Sequence, residues 1–315
     1  MKIVFFVNTP GQVHWHKKTI TSLEDKGHKI KILARDIAEV LCLLDSYGLK
    51  YSVFVKPKKL GCAKFLDVVP AVLKARKLAQ SFHPDILIGN GIIAASTSVL
   101  IRRPCLILND DDPTVVQNYL SKSLASAFLT PSCFRKDLGK KHIRFAGYKE
   151  LAYLHPDYFQ PDPSIYNELG INKEEKYVIL RFNVFDAVHD IGRHGFSLPD
   201  KYKLVKELGK YAPVFISAEG SLPEDLESYK LPIPYHRIHH ALYYAQLLVS
   251  DTQTLTTEAA VLGTPAIRCN NFVGPNDMGN FVELERNYDL IYSFQKPEKA
   301  IQTAVELIQQ ANLKK

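Results

Sequence analysis

LLVSDTQTLTTEAAVLGTPAIR, residues 247–268, packs a short apolar run, a polar turn, one helix and a second apolar run into a single stretch. Leu247, Leu248 and Val249 suit a buried parallel strand, and Ser250, Asp251 and Thr252 follow where a helix needs an N-cap. Leu255, Ala259 and Leu262 recur at helical spacing, Gly263 is the stop signal, and Pro265, Ala266 and Ile267 open the next strand. A strand running straight into a helix leaves backbone N–H groups, here around Thr252, Gln253 and Thr254, at the positive end of the helix dipole. That is where a phosphate binds. Glu258, one to two turns further in, is placed to accept hydrogen bonds from a ribose over the same helix. Together they suggest a nucleoside diphosphate. The competing reading is an ordinary capped helix with Glu258 as a solvated carboxylate.

Working outward, strands alternate with helical patterns along the chain, which predicts parallel sheets. In the first half, strands are expected at 2–8, 28–35, 51–55, 85–88, 105–108 and 127–129, with a helix from about Val13 to Lys26. The second series comprises strands at 177–181, 213–217, 247–249 and 265–268. HPDYFQPDPS at 155–164 carries three prolines and reads as a linker. The expected organisation is a first Rossmann-like, acceptor-side domain over 1–150, a linker over 151–175, and a second, nucleotide-sugar domain over 176–296. A last helix within 297–315 is expected to cross back to the first domain. The fold class is α/β, two doubly wound parallel-sheet domains with an interdomain cleft.

A chain of 315 residues with 46% hydrophobic content supports two cores. No apolar run approaches the roughly 20 residues of a membrane span, and the first residues pattern as a strand, not a signal peptide, so a cytoplasmic protein is expected. The five cysteines, Cys42, Cys62, Cys105, Cys133 and Cys269, form no paired motif and read as reduced. Charge is uneven. Residues 1–150 carry 24 Lys and Arg against 12 Asp and Glu, whereas 151–315 carry 16 against 21. Lys56, Lys58, Lys59 and Lys64 alternate with apolar residues, which suits peripheral contact with an acidic inner membrane surface or a lipid phosphate, or else a plain loop entering a helix. No basic stripe with interleaved aromatics points to nucleic acid.

Ligands of open α/β sheets bind beyond the carboxyl ends of the strands, so those loops hold the candidates. After the first strand, Gly11 allows close backbone approach, and His14 and His16 titrate near neutrality. His14 is the candidate general base there. Asp110 and Asp111 follow the strand at 105–108 and suit a sugar hydroxyl or a base, while Asp112 before Pro113 reads as a helix cap. In the second half, Arg181 leads into a polar loop with Asp186, His189, Asp190 and Arg193. Arg181 or Arg193 would neutralise a diphosphate without a metal. His189 is a third catalytic candidate, Ser217 and Glu219 end another strand, and Ile238 and His239 enter the helix before Leu247.

Asp251, Thr252, Glu258, Ala259, Leu262, Gly263 and Pro265 resemble the nucleotide-sugar element of the GT-B fold, and are most similar to that of the non-hydrolysing UDP-N-acetylglucosamine 2-epimerases. Gln253 and Thr254 stand where that family has paired glycines. Over its length the chain is identified as a member of domain-of-unknown-function family 354, a GT-B-like group, through GYKELAYLHPDYFQPDPS, LRFNVFDAVHDIG, FISAEGSLPEDLESYKLPIP, IHHALYYAQLLVSD and EAAVLGTPAI. By this resemblance Ile238 and His239 face the base, and the partner is a UDP-linked or similar nucleotide sugar with no further cofactor.

The epimerases carry an acidic residue after their fourth strand, where this chain reads Ile88-Gly89-Asn90-Gly91-Ile92, and a second-domain histidine where it reads Arg181-Phe182-Asn183. Their glutamate after the fifth strand falls near Asp110. The expectation is therefore metal-independent glycosyl transfer to a glycan or lipid-linked acceptor, in polysaccharide synthesis as is usual for the fold. The alternatives are a sugar-nucleotide epimerase or hydrolase, and a non-catalytic binding or scaffold protein.

Overall fold

The computed structural model describes residues 1–56, 68–112, 115–183, 194–218 and 222–310, with residues 115–119 described by their backbone. The chain divides into two compact units, Met1–His155 and Pro156–Lys315, each built on one parallel sheet.

In the first unit the strands are β1 (Lys2–Val7), β2 (Lys29–Arg35), β3 (Tyr51–Val55), β4 (Ile86–Gly89), β5 (Cys105–Leu108), β6 (Ala127–Pro131) and β7 (His142–Phe145). They lie in the order β3-β2-β1-β4-β5-β6-β7. Alternation along the central strand feeds two cores. Phe5 and Val7 of β1 pack with Val13 and Ile20 of α1 (Pro10–Asp25) and Leu43 and Leu44 of α2 (Ala38–Ser46). Val4 and Phe6 pack on the opposite face, against Ala71 and Ala75 of α3 (Val68–Gln80) and Ala94 and Ala95 of α4 (Ile92–Ile101). Helix α5 (Val115–Leu124) packs beside α4. Burying each large side chain here contributes about 1.5–3 kcal/mol.

Helix α6 (Leu151–Leu154) ends the first unit, packed on α1, and α7 (Ile165–Leu169) begins the second. The second sheet contains β8 (Val178–Phe182), β9 (Val214–Ala218), β10 (Leu247–Ser250), β11 (Ala266–Cys269) and β12 (Ile291–Phe294), ordered β12-β11-β10-β8-β9. Its helices are α8 (Leu198–Leu208), α9 (Ile238–Tyr244), α10 (Thr254–Val261), α11 (Gly279–Arg286) and α12 (Pro297–Ile308). In both sheets the winding direction reverses once, between β1 and β4 and between β8 and β10. Open α/β sheets take ligands at such reversals, beyond the carboxyl ends of the strands.

Several expectations change. The last helix, expected to cross back to the first domain, has its buried face, Ala300, Ile301, Ala304 and Leu307, in the core of the second unit with Leu204 and Val249. Its apolar stripe finds its partner on the nearest sheet. The proline-rich segment is no loose linker. Asp162 accepts from Arg237 and Ser164, its own N–H donates to His240 Nδ1 at 3.0 Å, and Phe159 packs on the His240 ring. Helix α1 starts at Pro10, so Gly11 lies in its first turn and not in an open loop. Strands β7 and β12 were not expected at all.

Burial sets one acid response. His16 lies wholly inside the first unit, against Phe5 and Trp15 and beside Asn90, and desolvation pushes its imidazole down to about 4. The unfolded chain takes up that proton near 6.5, so His16 contributes stability that is full above pH 6.5 and lost as pH falls towards 4. The loss is about 3 kcal/mol. Denaturant midpoints measured across that window should fall for the wild type and fall less for His16→Gln; parallel profiles would contradict this role.

Candidate functional site

At the reversal of the second sheet, Asp251 joins three strand ends. Its Oδ1 accepts the Asn183 N–H at 2.7 Å, its own N–H donates to the Arg181 carbonyl at 3.2 Å, and its carbonyl accepts from Asn270 Nδ2 at 3.0 Å. Asp251 therefore holds the loops after β8, β10 and β11 in fixed relation. Gly195 packs directly on it: an added Cβ would sit 2.7 Å from the Asp251 carboxyl carbon. Asn183, Gly195 and Asn270 were not singled out from sequence, because nothing local marks an asparagine or glycine that serves a distant carboxylate. Gly195→Ala is expected to destabilise the protein by about 1–3 kcal/mol through overpacking. An unchanged melting temperature would show that Asp251 yields freely.

The turn after β10 does not cap the helix as the sequence suggested. Ser250 Oγ accepts the Thr252 N–H at 2.9 Å and lies 2.8 Å from Thr252 Oγ1, so these hydroxyls serve each other. The N-cap of α10 is Gln253, and no side chain caps the helix. Gln253 Oε1 is buried without a hydrogen-bond partner. Thr256 and Thr257 face inward, bonded to the Thr252 and Gln253 carbonyls at 2.6 and 3.4 Å, which leaves half-buried Thr254 at the helix start. Gly263 ends α10 at φ 77°, in the left-handed conformation that its lack of Cβ permits.

Glu258 is not a solvated carboxylate. It is only 3% exposed, and its Oε1 lies 3.1 Å from His239 Nε2. The two candidates, from α9 and α10, thus form one buried pair, with Phe159 edge-on to the His239 ring. Ile238 is half-buried at the start of α9. Arg181, at the end of β8, donates from Nη1 to Ser217 Oγ at 2.8 Å, bringing those two candidates together on neighbouring strands. Asp186, His189, Asp190, Arg193 and Glu219 lie outside the described residues, as do Lys58, Lys59 and Lys64.

Beside this site stands a group that the sequence reading passed over. Arg268 of β11 is 0% exposed, with Nη1 3.2 Å from Asp277 Oδ1, Nη2 paired to Oδ2, and its guanidinium 3.7 Å from the Phe281 ring centre. A charge inside the apolar run Ala266–Cys269 was the available signal. Asp277 also accepts the Met278 N–H at 2.8 Å and so fixes the start of α11, whose Asn280 donates to Thr257 of α10 at 3.1 Å.

In the first unit the candidates are already engaged. His14 is buried, 3.1 Å from the Tyr47 hydroxyl through Nδ1 and stacked on Tyr153 of α6. His16 and Asn90 meet at the β1/β4 reversal. Asp110 is paired with Lys149, so it is not the open carboxylate that a base in that loop would present. Half-buried Asp111 donates its N–H to Asn109 Oδ1 at 3.0 Å. Asp112 accepts the Arg135 N–H at 2.7 Å and ties down a neighbouring loop. Among the described residues no group of three His, Cys, Asp or Glu side chains is placed to hold a metal ion.

Two parallel-sheet α/β domains, of seven and five strands, match the GT-B fold. The chain belongs to DUF354, a family described as protein of unknown function, whose model matches residues 1–315. No curated protein matches it in sequence. Among solved structures it is similar to Methanocaldococcus jannaschii UDP-GlcNAc 2-epimerase in complex with UDP-GlcNAc and UDP, at TM-score 0.67 and 12% identity over 98% of this chain and 93% of that one. It is also similar to S. aureus MnaA with UDP, at TM-score 0.69 and 11% identity over 99% and 89% of the two chains. The Streptomyces sp. SF2575 glycosyltransferase SsfS6, complexed with thymidine diphosphate, matches at TM-score 0.61 and 11% identity over 99% and 92%. At such identity the likeness is one of fold.

Proposed function

We propose that the second unit binds a nucleoside-diphosphate sugar beyond β8 and β10, and that the protein transfers the sugar to a glycan or lipid-linked acceptor. The observation that carries this reading is the buried Glu258–His239 pair, set along a helix whose N-terminus opens at the sheet reversal. A carboxylate buried against a histidine is held in one orientation, as ribose recognition requires. The N-terminal amides of α10, Thr252, Thr254 and Arg181 would then neutralise the diphosphate. In transfer, an acceptor oxygen bonds to the anomeric carbon as the bond to the phosphate oxygen breaks. The nucleoside diphosphate leaves with the electron pair, and the acceptor proton passes to a base. Acceptor binding and that base, His14, are assigned to the first unit; Asp110, paired with Lys149, is assigned to orientation.

Epimerisation is the second reading, favoured by the UDP-GlcNAc 2-epimerase among the similar structures. Calorimetric titration with UDP, GDP, CDP, ADP and TDP tests the shared step, and selective binding by one of them is the expected outcome. Turnover of the matching nucleotide sugar without acceptor would favour epimerisation or hydrolysis. Absence of binding by every nucleotide would remove both readings and leave a scaffold role.

A further inference from the structure

The helical layer formed by α3, α4 and α5 has an unusual outer face. Packing turns their alanines inward and leaves large aliphatic side chains in solvent: Val69 is 66% and Leu73 53% exposed on α3, with Val99 and Leu100 on α4 and Leu120 on α5. The three helices carry no acidic residue. Lys74, Arg76 and Lys77 lie on α3, Arg102 and Arg103 follow α4, and Lys122 lies on α5. Lys74, Lys77, Arg102 and Arg103 are exposed. An ordinary solvated layer mixes both signs of charge; within these three helices exposed aliphatics stand with cations only, and the exposed acid Asp85 lies beyond them in the turn before β4.

From this juxtaposition we infer that the α3–α5 face is a docking surface for an anionic lipid bilayer. Charge decides the occupant. A second copy of the chain meeting this face symmetrically would present the same patch from both sides and so set cations against cations. A negatively charged membrane surface attracts those cations, while Val69, Leu73, Leu100 and Leu120 enter the boundary between headgroups and acyl chains. Lysine and arginine stems can lie along that boundary with their charged ends in water, so the basic and apolar residues act together. No helix among the described residues is long and apolar enough to cross a membrane, so the contact is peripheral. The inference stands independently of the nucleotide site.

Co-sedimentation of the full chain with vesicles tests it, using phosphatidylcholine alone and phosphatidylcholine mixed with phosphatidylglycerol, without nucleotide. Binding is expected only to the mixed vesicles, weaker at higher salt, and reduced about fivefold by each of Lys74→Gln, Lys77→Gln and Arg103→Gln. Leu73→Ser with Leu100→Ser should weaken it further, whereas Lys18→Gln, on the opposite helical layer, should not. All are exposed positions, and circular dichroism melts would verify that the variants fold. Equal pelleting with both vesicle types, or binding indifferent to these substitutions, would overturn the inference. So would a Leu73→Ser, Leu100→Ser variant that turns a dimer into a monomer in the ultracentrifuge with vesicle binding unchanged, because the face would then be a contact between copies.

Discussion

Asp277→Ala is expected to destabilise the protein by about 3–5 kcal/mol, because it strands a buried guanidinium without a counter-charge. Arg268 has no exposure to water, and Asp277 supplies both carboxylate oxygens to it. The Phe281 ring alone does not replace that pairing: a desolvated cation over an aromatic face gains about 2 kcal/mol or more, but the ring brings neither a counter-charge nor hydrogen-bond acceptors for the guanidinium N–H groups. Replacing both partners by apolar residues, Arg268→Met with Asp277→Leu, should cost less than Asp277→Ala alone, since no charge remains to desolvate. Denaturant unfolding of the three proteins reads the difference directly. A loss below about 1 kcal/mol for Asp277→Ala would mean that Arg268 finds water or another partner. Through Met278 and Asn280 the same pair supports Thr257, so a folded Asp277→Asn variant should also loosen α10.

The second large effect concerns ligand binding. Glu258→Ala should weaken nucleotide affinity about 10- to 100-fold, the value of hydrogen bonds to a charged acceptor in a desolvated site. Glu258→Gln keeps the shape and one acceptor oxygen and should lose less. His239→Ala should weaken binding less than Glu258→Ala, because it removes the support of the carboxylate and not the contact. Titration calorimetry of the wild type and the three variants with the preferred nucleotide supplies the comparison. If Glu258→Ala binds as the wild type does, while its melting temperature falls, the pair is a packing device and ribose recognition lies elsewhere.

How much of this was legible in the sequence differs by element. The strand, turn, helix and strand of 247–268 could be read residue by residue, because buried parallel strands are continuous apolar runs and helix ends carry their own signals. Strands β7 and β12 could not. His142–Phe145 is half-buried or exposed throughout, only Ile291 of Ile291–Phe294 is buried, and edge strands with one neighbour leave little hydrophobic pattern. The destination of α12 was misread for a related reason: an amphipathic stripe shows that a helix packs, and not which sheet it packs on.

Within the site, local sequence named Arg181, Ser217, His239, Asp251 and Glu258 as chemistry-bearing residues at strand ends and helix starts. It did not show that Arg181 meets Ser217, that His239 meets Glu258, or that Asn183 and Gly195 converge on Asp251. Those pairings join residues from 19 to 68 positions apart, as for Glu258 with His239 and Asp251 with Asn183. The alternation of strands and helices and the two doubly wound domains follow from periodicity along the chain, a local property. Which polar groups share a buried space was decided by the strand order, since only the sheet brings the ends of β8, β9, β10 and β11 side by side and takes their charges out of water together.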